Sequence, residues 1–436
     1  MSASELSETE LPEVVAVARD LIRFDTTNFG EGRSHGEREA AEYVGAYLEG
    51  LGLRPEYYEP IPRRTNLSVR VPGRNRDKPA LVLHGHLDVV PAVADDWSVD
   101  PFGGVIRDGM LWGRGAVDMK DMDAMILTSV AELLRAGEQP ERDLILTFFA
   151  DEENGGVEGS QLVVRDRPHW FDGATEAISE VGGYSIPVGE QRAYLLQVGE
   201  KALVWLRLRA RGTAGHGSRF HPDNAVTRLS EAVAALGRSV WPLELTATTR
   251  QTVDGLAALC GVDPADPDAV ADATGAASGF LRSTFRTTTN PTGLVAGYKH
   301  NVIPDAAVAT IDVRTLPGQE ERVLAEIQRI VGDDIEVEIS HRDIGLEVPF
   351  RGELVEAMVG GLERHDPGVP VLPYLMGGGT DNKALAELGI AGYGFAPLRL
   401  PTDLDFTGMF HGVDERVPID ALVFGQRVLT DLIRTY

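Results

Sequence analysis

Two histidines and an aspartate end the apolar run "LVLHGHLDVVP" (81–91). Residues i and i+2 of a strand point to the same side. A metal-bound histidine needs its second ring nitrogen held, and a nearby carboxylate does that. Asp88 could therefore orient His86 as a ligand; a merely polar strand end is the competing reading. Further along, "LWGRGAVDMKDMD" places Asp118 in a glycine-containing loop before a helix, where it could bridge two metals or cap the helix. In "FFADEENGG" an apolar strand runs into Asp151, Glu152 and Glu153. Adjacent acids at a strand end are costly to bury without a cation among them, although a solvated loop would also hold them. Glu180 ends a short apolar segment in "AISEVGG", and His411 sits in the loop "MFHGVDERVP".

Taken together, these residues lie at successive strand ends or loops of one α/β arrangement. In open α/β sheets, ligands bind at the carboxyl ends of the strands. Mixed nitrogen and oxygen donors suit zinc, with cobalt or manganese as alternatives. Such a set with one shared carboxylate makes a pair of metal sites about 3.5–4 Å apart. The motifs H-E-x-x-H, G-x-S-x-G and G-x-G-x-x-G are absent, which removes the usual sequence support for a zincin, an α/β-hydrolase or a dinucleotide-binding dehydrogenase.

The elements that must position these residues are legible in the hydrophobic spacing. Helices are expected over 12–24, 37–51 and 121–137, and strands over 66–71, 80–86 and 143–150. The last two strands are almost continuously apolar, as in a sheet covered on both faces. Strand, helix, strand predicts a mixed, largely parallel sheet flanked by helices. From Gln197 the pattern changes. Val204, Leu206 and Leu208 alternate with Arg207 and Arg209, the pattern of a half-exposed strand. A helix over 222–236, strands over 293–303 and 306–315, a helix over 318–331 and a strand over 334–340 follow. Residues 240–290 read as irregular. The fold class is therefore α/β, with an inserted α+β two-layer unit. The larger domain is expected at 1–196 and 342–436, and the inserted unit at 197–341.

The chain of 436 residues carries 41 Lys and Arg against 67 Asp and Glu, a net charge of −26. That argues against nucleic acid or an anionic membrane as partner. No stretch approaches the roughly 20 apolar residues of a membrane span. The acidic N-terminal stretch lacks the features of a signal peptide, and the single cysteine, Cys260, fits a reducing compartment. A cytoplasmic protein is expected.

In order along the chain, "HGHLDVVP", "GRGAVDMK", "DEENGG", "ISEVGG", "GHGS", "HNVIPDAAVATIDVRTLPG", "GGGTDN" and "HGVDERVP" resemble the motifs of the co-catalytic zinc peptidases and amidohydrolases. That group includes aminoacylase, glutamate carboxypeptidase, carboxypeptidase S, acetylornithine deacetylase and succinyl-diaminopimelate desuccinylase. The resemblance implies two Zn2+ ions, one held by His86, Asp118 and Glu180 and the other by Asp118, Glu153 and His411. It implies that Glu152 is the general base and that Asp88 orients His86. It further implies that the larger domain is the catalytic one and the inserted unit a lid and dimerisation domain, with His216 of "TAGHGS" reaching the other subunit's site to stabilise an oxyanion. Asn301, Arg314 and the 377–380 loop, including Gly378, Gly379 and Thr380, match positions that contact substrate. His84 does not match a ligand position and is expected to be scaffold. The length of 240–290 and "TTTNPT" before "HNVIP" look more like the carboxypeptidase S and N-acyl-amino-acid hydrolase branch. The expected activity is hydrolysis of an amide or peptide bond in a dipeptide or N-acyl amino acid bearing a free carboxylate. A biosynthetic deacylase and a non-catalytic metal or amino-acid binding protein are the rival readings.

Overall fold

The computed structural model describes residues 11–189 and 191–436. Residues 1–10 of the acidic N-terminal stretch lie outside the described residues. Among the described residues the largest sheet has ten strands. At its centre Ala80–His86 runs parallel to Leu144–Phe149 on one side and to Ala174–Ser179 on the other, and Ala174–Ser179 runs parallel to Ala391–Gly394. Antiparallel strands flank this centre: Arg64–Val71 and Glu56–Ile61 on one side, Ser185–Val188 paired with Gln191–Glu200 on the other. Ala80–His86 and Leu144–Phe149 are buried along their whole length. Leu81 and Leu83 face one core while Val82 faces another, so both faces are covered and the run cannot alternate with polar residues.

The helix Lys120–Arg135 is buried on nearly every side, because helices Glu13–Ile22 and Ile419–Thr435 pack over it. Glycine between the two histidines has a steric reason. A Cβ on Gly85 would stand 2.0 Å from Oδ1 of Asp123 on that helix.

A second, four-stranded sheet is antiparallel throughout, in the order Thr288–Ala296, Ala306–Thr315, Ala202–Arg211, Ile335–Arg342. Helices Ala225–Arg238 and Glu320–Val331 contribute to a separate core, which holds Val204, Leu206, Leu208, Leu229, Ile311 and Ile327. Arg207 and Arg209 are exposed on the other face, as their alternation predicts.

The segment 240–290 corrects the expectation of irregular structure. It holds three helices, Ala247–Cys260, Pro267–Asp272 and Ser278–Thr284. The first opens with a reciprocal Thr246–Thr249 capping box, which satisfies two otherwise orphaned amides. Val253, Leu256, Ala257, Leu281 and Phe285 join the core of the large sheet. The Ala- and Thr-rich composition hid this because small residues give a weak periodic signal, while tertiary packing supplies most of a helix's stability. The boundaries 197–341 remain our proposal for the inserted unit, with these helices packed outside its core. Among the described residues no helix is long and apolar enough to cross a membrane.

A candidate metal centre at the strand ends

Three neighbouring parallel strands deliver side chains to one edge. His86 ends Ala80–His86, Glu152 and Glu153 follow Leu144–Phe149, and Glu180 follows Ala174–Ser179. Asp118 enters from the loop before Lys120–Arg135 and His411 from the loop after the short turn Thr407–Met409. Asp118 makes no cap to that helix; it turns into the cluster instead. Its Oδ1 lies 3.0 Å from Nε2 of His86 and its Oδ2 lies 3.3 Å from Nε2 of His411. Glu180 Oε1 stands 3.5 Å from Nε2 of His86, and Glu153 Oε2 stands 3.1 Å from Nε2 of His411.

Two groups emerge, His86–Asp118–Glu180 and Asp118–Glu153–His411. Within each, the potential ligand atoms all lie within 4.8 Å of one another. Asp118 belongs to both. Oε1 of Glu153 and Oε2 of Glu180 are buried without a hydrogen-bond partner. Buried acceptors left orphaned in a native fold call for a cation or donor. These donors are one histidine and carboxylates in each group, a set that fits zinc, cobalt or manganese.

The electrostatics agree. Burial raises the pKa of Glu152 and Glu180 well above the ordinary carboxyl range, and raises that of Glu153. Burial opposes the charged form of His86, but Glu180, Asp118 and Asp88 outweigh it and hold its pKa well above normal. Hydrogen bonds to Asp118 and Glu153 lift that of His411 to about 10.

Supporting residues fix this geometry. The backbone carbonyl of Asp88 lies 3.0 Å from Nδ1 of His86, and its carboxylate Oδ1 lies 3.6 Å away. The Asp88 carboxylate accepts hydrogen bonds from the backbone N–H of Glu152 (3.0 Å) and of Glu153 (3.2 Å) and from Nδ2 of Asn28 (2.8 Å). The Asp88 carboxylate thus anchors the acidic turn, while its backbone carbonyl, the nearer of its groups, faces Nδ1 of His86. Glu415, in the loop that carries His411, accepts from the backbone N–H of Gly115, Val117 and Asp118 and pairs with Arg114 at 2.6 Å. That links the Asp118 loop to the His411 loop. His84 belongs to neither ligand group; its Nε2 lies 2.9 Å from Oδ1 of Asn382.

The first of the three adjacent acids plays a different part. Asp151 is fully buried and pairs with Arg64 at 2.9 Å; Arg64 also pairs with Glu37 (2.5 Å) and Glu158 (3.1 Å). This buried cation fastens the start of strand Arg64–Val71 to the acidic turn. Arg64→Ala leaves Glu37 and Asp151 buried without their partner, and is expected to cost about 3–5 kcal/mol. Urea unfolding measures it; a change below about 1 kcal/mol, the worth of an exposed pair, would contradict the assignment.

The acids open into a cavity of about 670 Å³ that lies between the two sheets' residues. Asp118, Glu152, Glu153, Glu180 and His411 line it, together with Arg314, Gly378, Gly379 and Thr380. Arg314 is held by Asp312 through two contacts of 2.8 and 3.0 Å. Thr380 donates its hydroxyl and its N–H to Glu200. His216 and Asn301 are not among the cavity's lining residues. Both are exposed, on the short ribbon where Gly215–His216 pairs with Val302–Ile303; Nδ1 of His216 meets the Ser218 hydroxyl at 2.8 Å. Sequence reasoning missed Arg64, Arg114 and Glu415, whose partners are remote in the chain, and Lys201, which lines the same cavity.

The sequence profile described as "Peptidase family M20/M25/M40" matches residues 82–435. The chain is 28% identical to the N-fatty-acyl-amino acid synthase/hydrolase PM20D1 of Xenopus tropicalis, covering 96% of this chain and 85% of the relative. It is also 28% identical to the succinyl-diaminopimelate desuccinylase of Rhodospirillum centenum, over 97% of this chain and 96% of that protein. In fold it is similar to the crystal structure of a metallo-carboxypeptidase, Sso-CP2 from Sulfolobus solfataricus, with a TM-score of 0.76, 17% identity, and coverage of 97% of this chain and 99% of that one.

Proposed function

The chain belongs to the M20/M25/M40 peptidase family and is a hydrolase of that family, and from this premise we propose that it cleaves an amide or peptide bond in a small substrate with a free carboxylate. A dipeptide or an N-acyl amino acid is the substrate class. The observation that carries this reading is the placement of Glu152. It lies beside two ligand groups that share Asp118, and all open into one cavity.

His86, Asp118 and Glu180 would hold one zinc ion, and Asp118, Glu153 and His411 the other. Bound there, such ions lower the pKa of water and polarise a carbonyl oxygen. Glu152 belongs to neither group and is free to accept a proton from the attacking water. Burial raises its pKa, which suits a carboxyl that first takes a proton and then returns it to the leaving amine. Arg314 and the backbone at Gly378 and Gly379 face the same space, where they would orient the substrate.

His216 would stabilise the developing oxyanion in a partner subunit rather than in its own. Its exposure away from its own cavity supports this. So does the exposed apolar surface of the small unit, where Phe220 is 91%, Val295 72% and Tyr298 83% accessible; such patches mark association surfaces. Co-expressing His216→Ala with Glu152→Ala chains is the check. In a symmetric dimer each mixed pair keeps one intact site, so about a quarter of wild-type turnover returns. A monomer with full activity, or no recovery on mixing, refutes the arrangement.

The activity itself is tested by amine release from a panel of dipeptides and N-acyl amino acids with added zinc or cobalt, including succinyl-diaminopimelate and acetylornithine. Preference for those two would move the assignment to a biosynthetic deacylase. Tight binding with no release would make the protein a binder, a reading that gives Glu152, beside both ligand groups, no purpose.

A further inference from the structure

Three lysine or arginine side chains line the cavity: Lys201, Arg314 and Lys383. Two of them are spoken for. Arg314 is paired with Asp312 and Lys383 with Asp343. Nearby Arg286 is paired with Asp268. Lys201 is different. It is 1% exposed, makes no ion pair among the described residues, and its ammonium donates a single hydrogen bond, to the Ser283 carbonyl at 2.7 Å. An ammonium carries three donors, and a buried cation without an anion is costly. The position is also rigid. Lys201 sits between strands Gln191–Glu200 and Ala202–Arg211, its N–H donates to the Met376 carbonyl, and its own carbonyl accepts from Nζ of Lys383.

We propose that Lys201 is the residue that receives the substrate's free carboxylate, with its two remaining N–H groups directed at that anion. This rests on the reading of a carboxylate-bearing substrate given above. The groups acting on the Lys201 ammonium are the Ser283 carbonyl, which accepts from it, and the charges of Arg286, Asp312 and Arg314; Lys383 reaches only its backbone carbonyl. Burial, then the positive charge of Arg314, bring the Lys201 pKa down to about 7, with Asp312 opposing. A bound carboxylate restores the charged form, so substrate and proton bind together. Acid substrates are therefore favoured less as pH rises from about 6 to about 9, across a lysine held below its usual range. Their uncharged amide analogues show no such change.

The experiment compares N-acetyl-L-leucine with N-acetyl-L-leucinamide, and glycyl-L-leucine with its amide, as ligands of the zinc-loaded Glu152→Ala protein, in which turnover does not interfere. The acid should bind about 10- to 100-fold more tightly than the amide, the range of a hydrogen bond to a charged group. Adding Lys201→Met should abolish that ratio while amide binding stays within about threefold, since an apolar replacement of similar length leaves no unpaired buried charge. Lys201→Arg should keep most of the ratio and lose its fall with pH. In the otherwise wild-type enzyme, Lys201→Met should raise KM for the acid and spare kcat. A large ratio that survives Lys201→Met overturns the proposal and leaves the carboxylate reading standing. A ratio near one in the parent protein overturns both.

Discussion

Glu152→Ala is expected to keep its metal and to lose about 10²–10⁴-fold in kcat, the contribution typical of a positioned general base. Glu152 lies outside both ligand groups, with its Oε2 3.8 Å from Nε2 of His86. Its backbone N–H is anchored on Asp88, and the substitution leaves that bond in place. Glu153, the adjacent ligand candidate, is anchored on Asp88 in the same way. Loss of the carboxylate therefore removes a proton carrier without moving a ligand. Removing an acid that burial already disfavours in its charged form should also leave stability unchanged or improved. Metal analysis of the purified variant, together with kcat on a substrate from the panel, checks both halves. Wild-type kcat in the variant would end the general-base assignment. Loss of metal would make Glu152 a ligand.

Asp118→Asn should have the widest effect of any single exchange at the site. Asp118 alone belongs to both groups and contacts both histidines. The amide keeps the shape but loses the charge, and it can offer a metal only one good acceptor. Both ions should therefore bind weakly, and turnover should fall below detection. Added zinc should stabilise the wild-type protein by about 2.7 kcal/mol at a hundredfold excess over its dissociation constant. The same addition should do little for the variant. Glu180→Gln, which touches one group only, should retain more metal. Isothermal titration with zinc and thermal unfolding with and without it measure this. Two ions bound with wild-type affinity by the Asp118→Asn protein would refute a shared bridging carboxylate.

The strand ends were legible because the chemistry there breaks a local rule. An apolar run such as 143–150 should end in a turn, not in three acids, and residues 80–86 should not close on two histidines. That anomaly is visible without a partner. What the sequence hid were pairings made across the chain. Arg114 and Glu415 are 301 residues apart, and nothing near either one marks it as buried. Asp151 looked like its two neighbours and turned out to be neutralised by Arg64. Lys201 lies just before the alternating run at Val204–Arg209, where a lysine reads as an exposed charge of a half-exposed strand. The helices of 240–290 were missed for a related reason. Val253, Leu256 and Ala257 do have helical spacing, but the surrounding alanines and threonines dilute it, and only packing on the large core gives the spacing meaning. His216 and Asn301 were predicted as site residues, and the fold brings them together with each other rather than with the metal ligands.

The proposed role of two metal ions held by this cluster is to drive amide hydrolysis. Its most direct test is to strip the protein with a chelator and titrate zinc back while following amine release from its best N-acyl amino acid or dipeptide substrate. Release should be absent in the stripped protein and rise to a plateau at about two equivalents per chain, as a two-ion site requires. Full release without metal, or a plateau at one equivalent with no further ion bound, would contradict it.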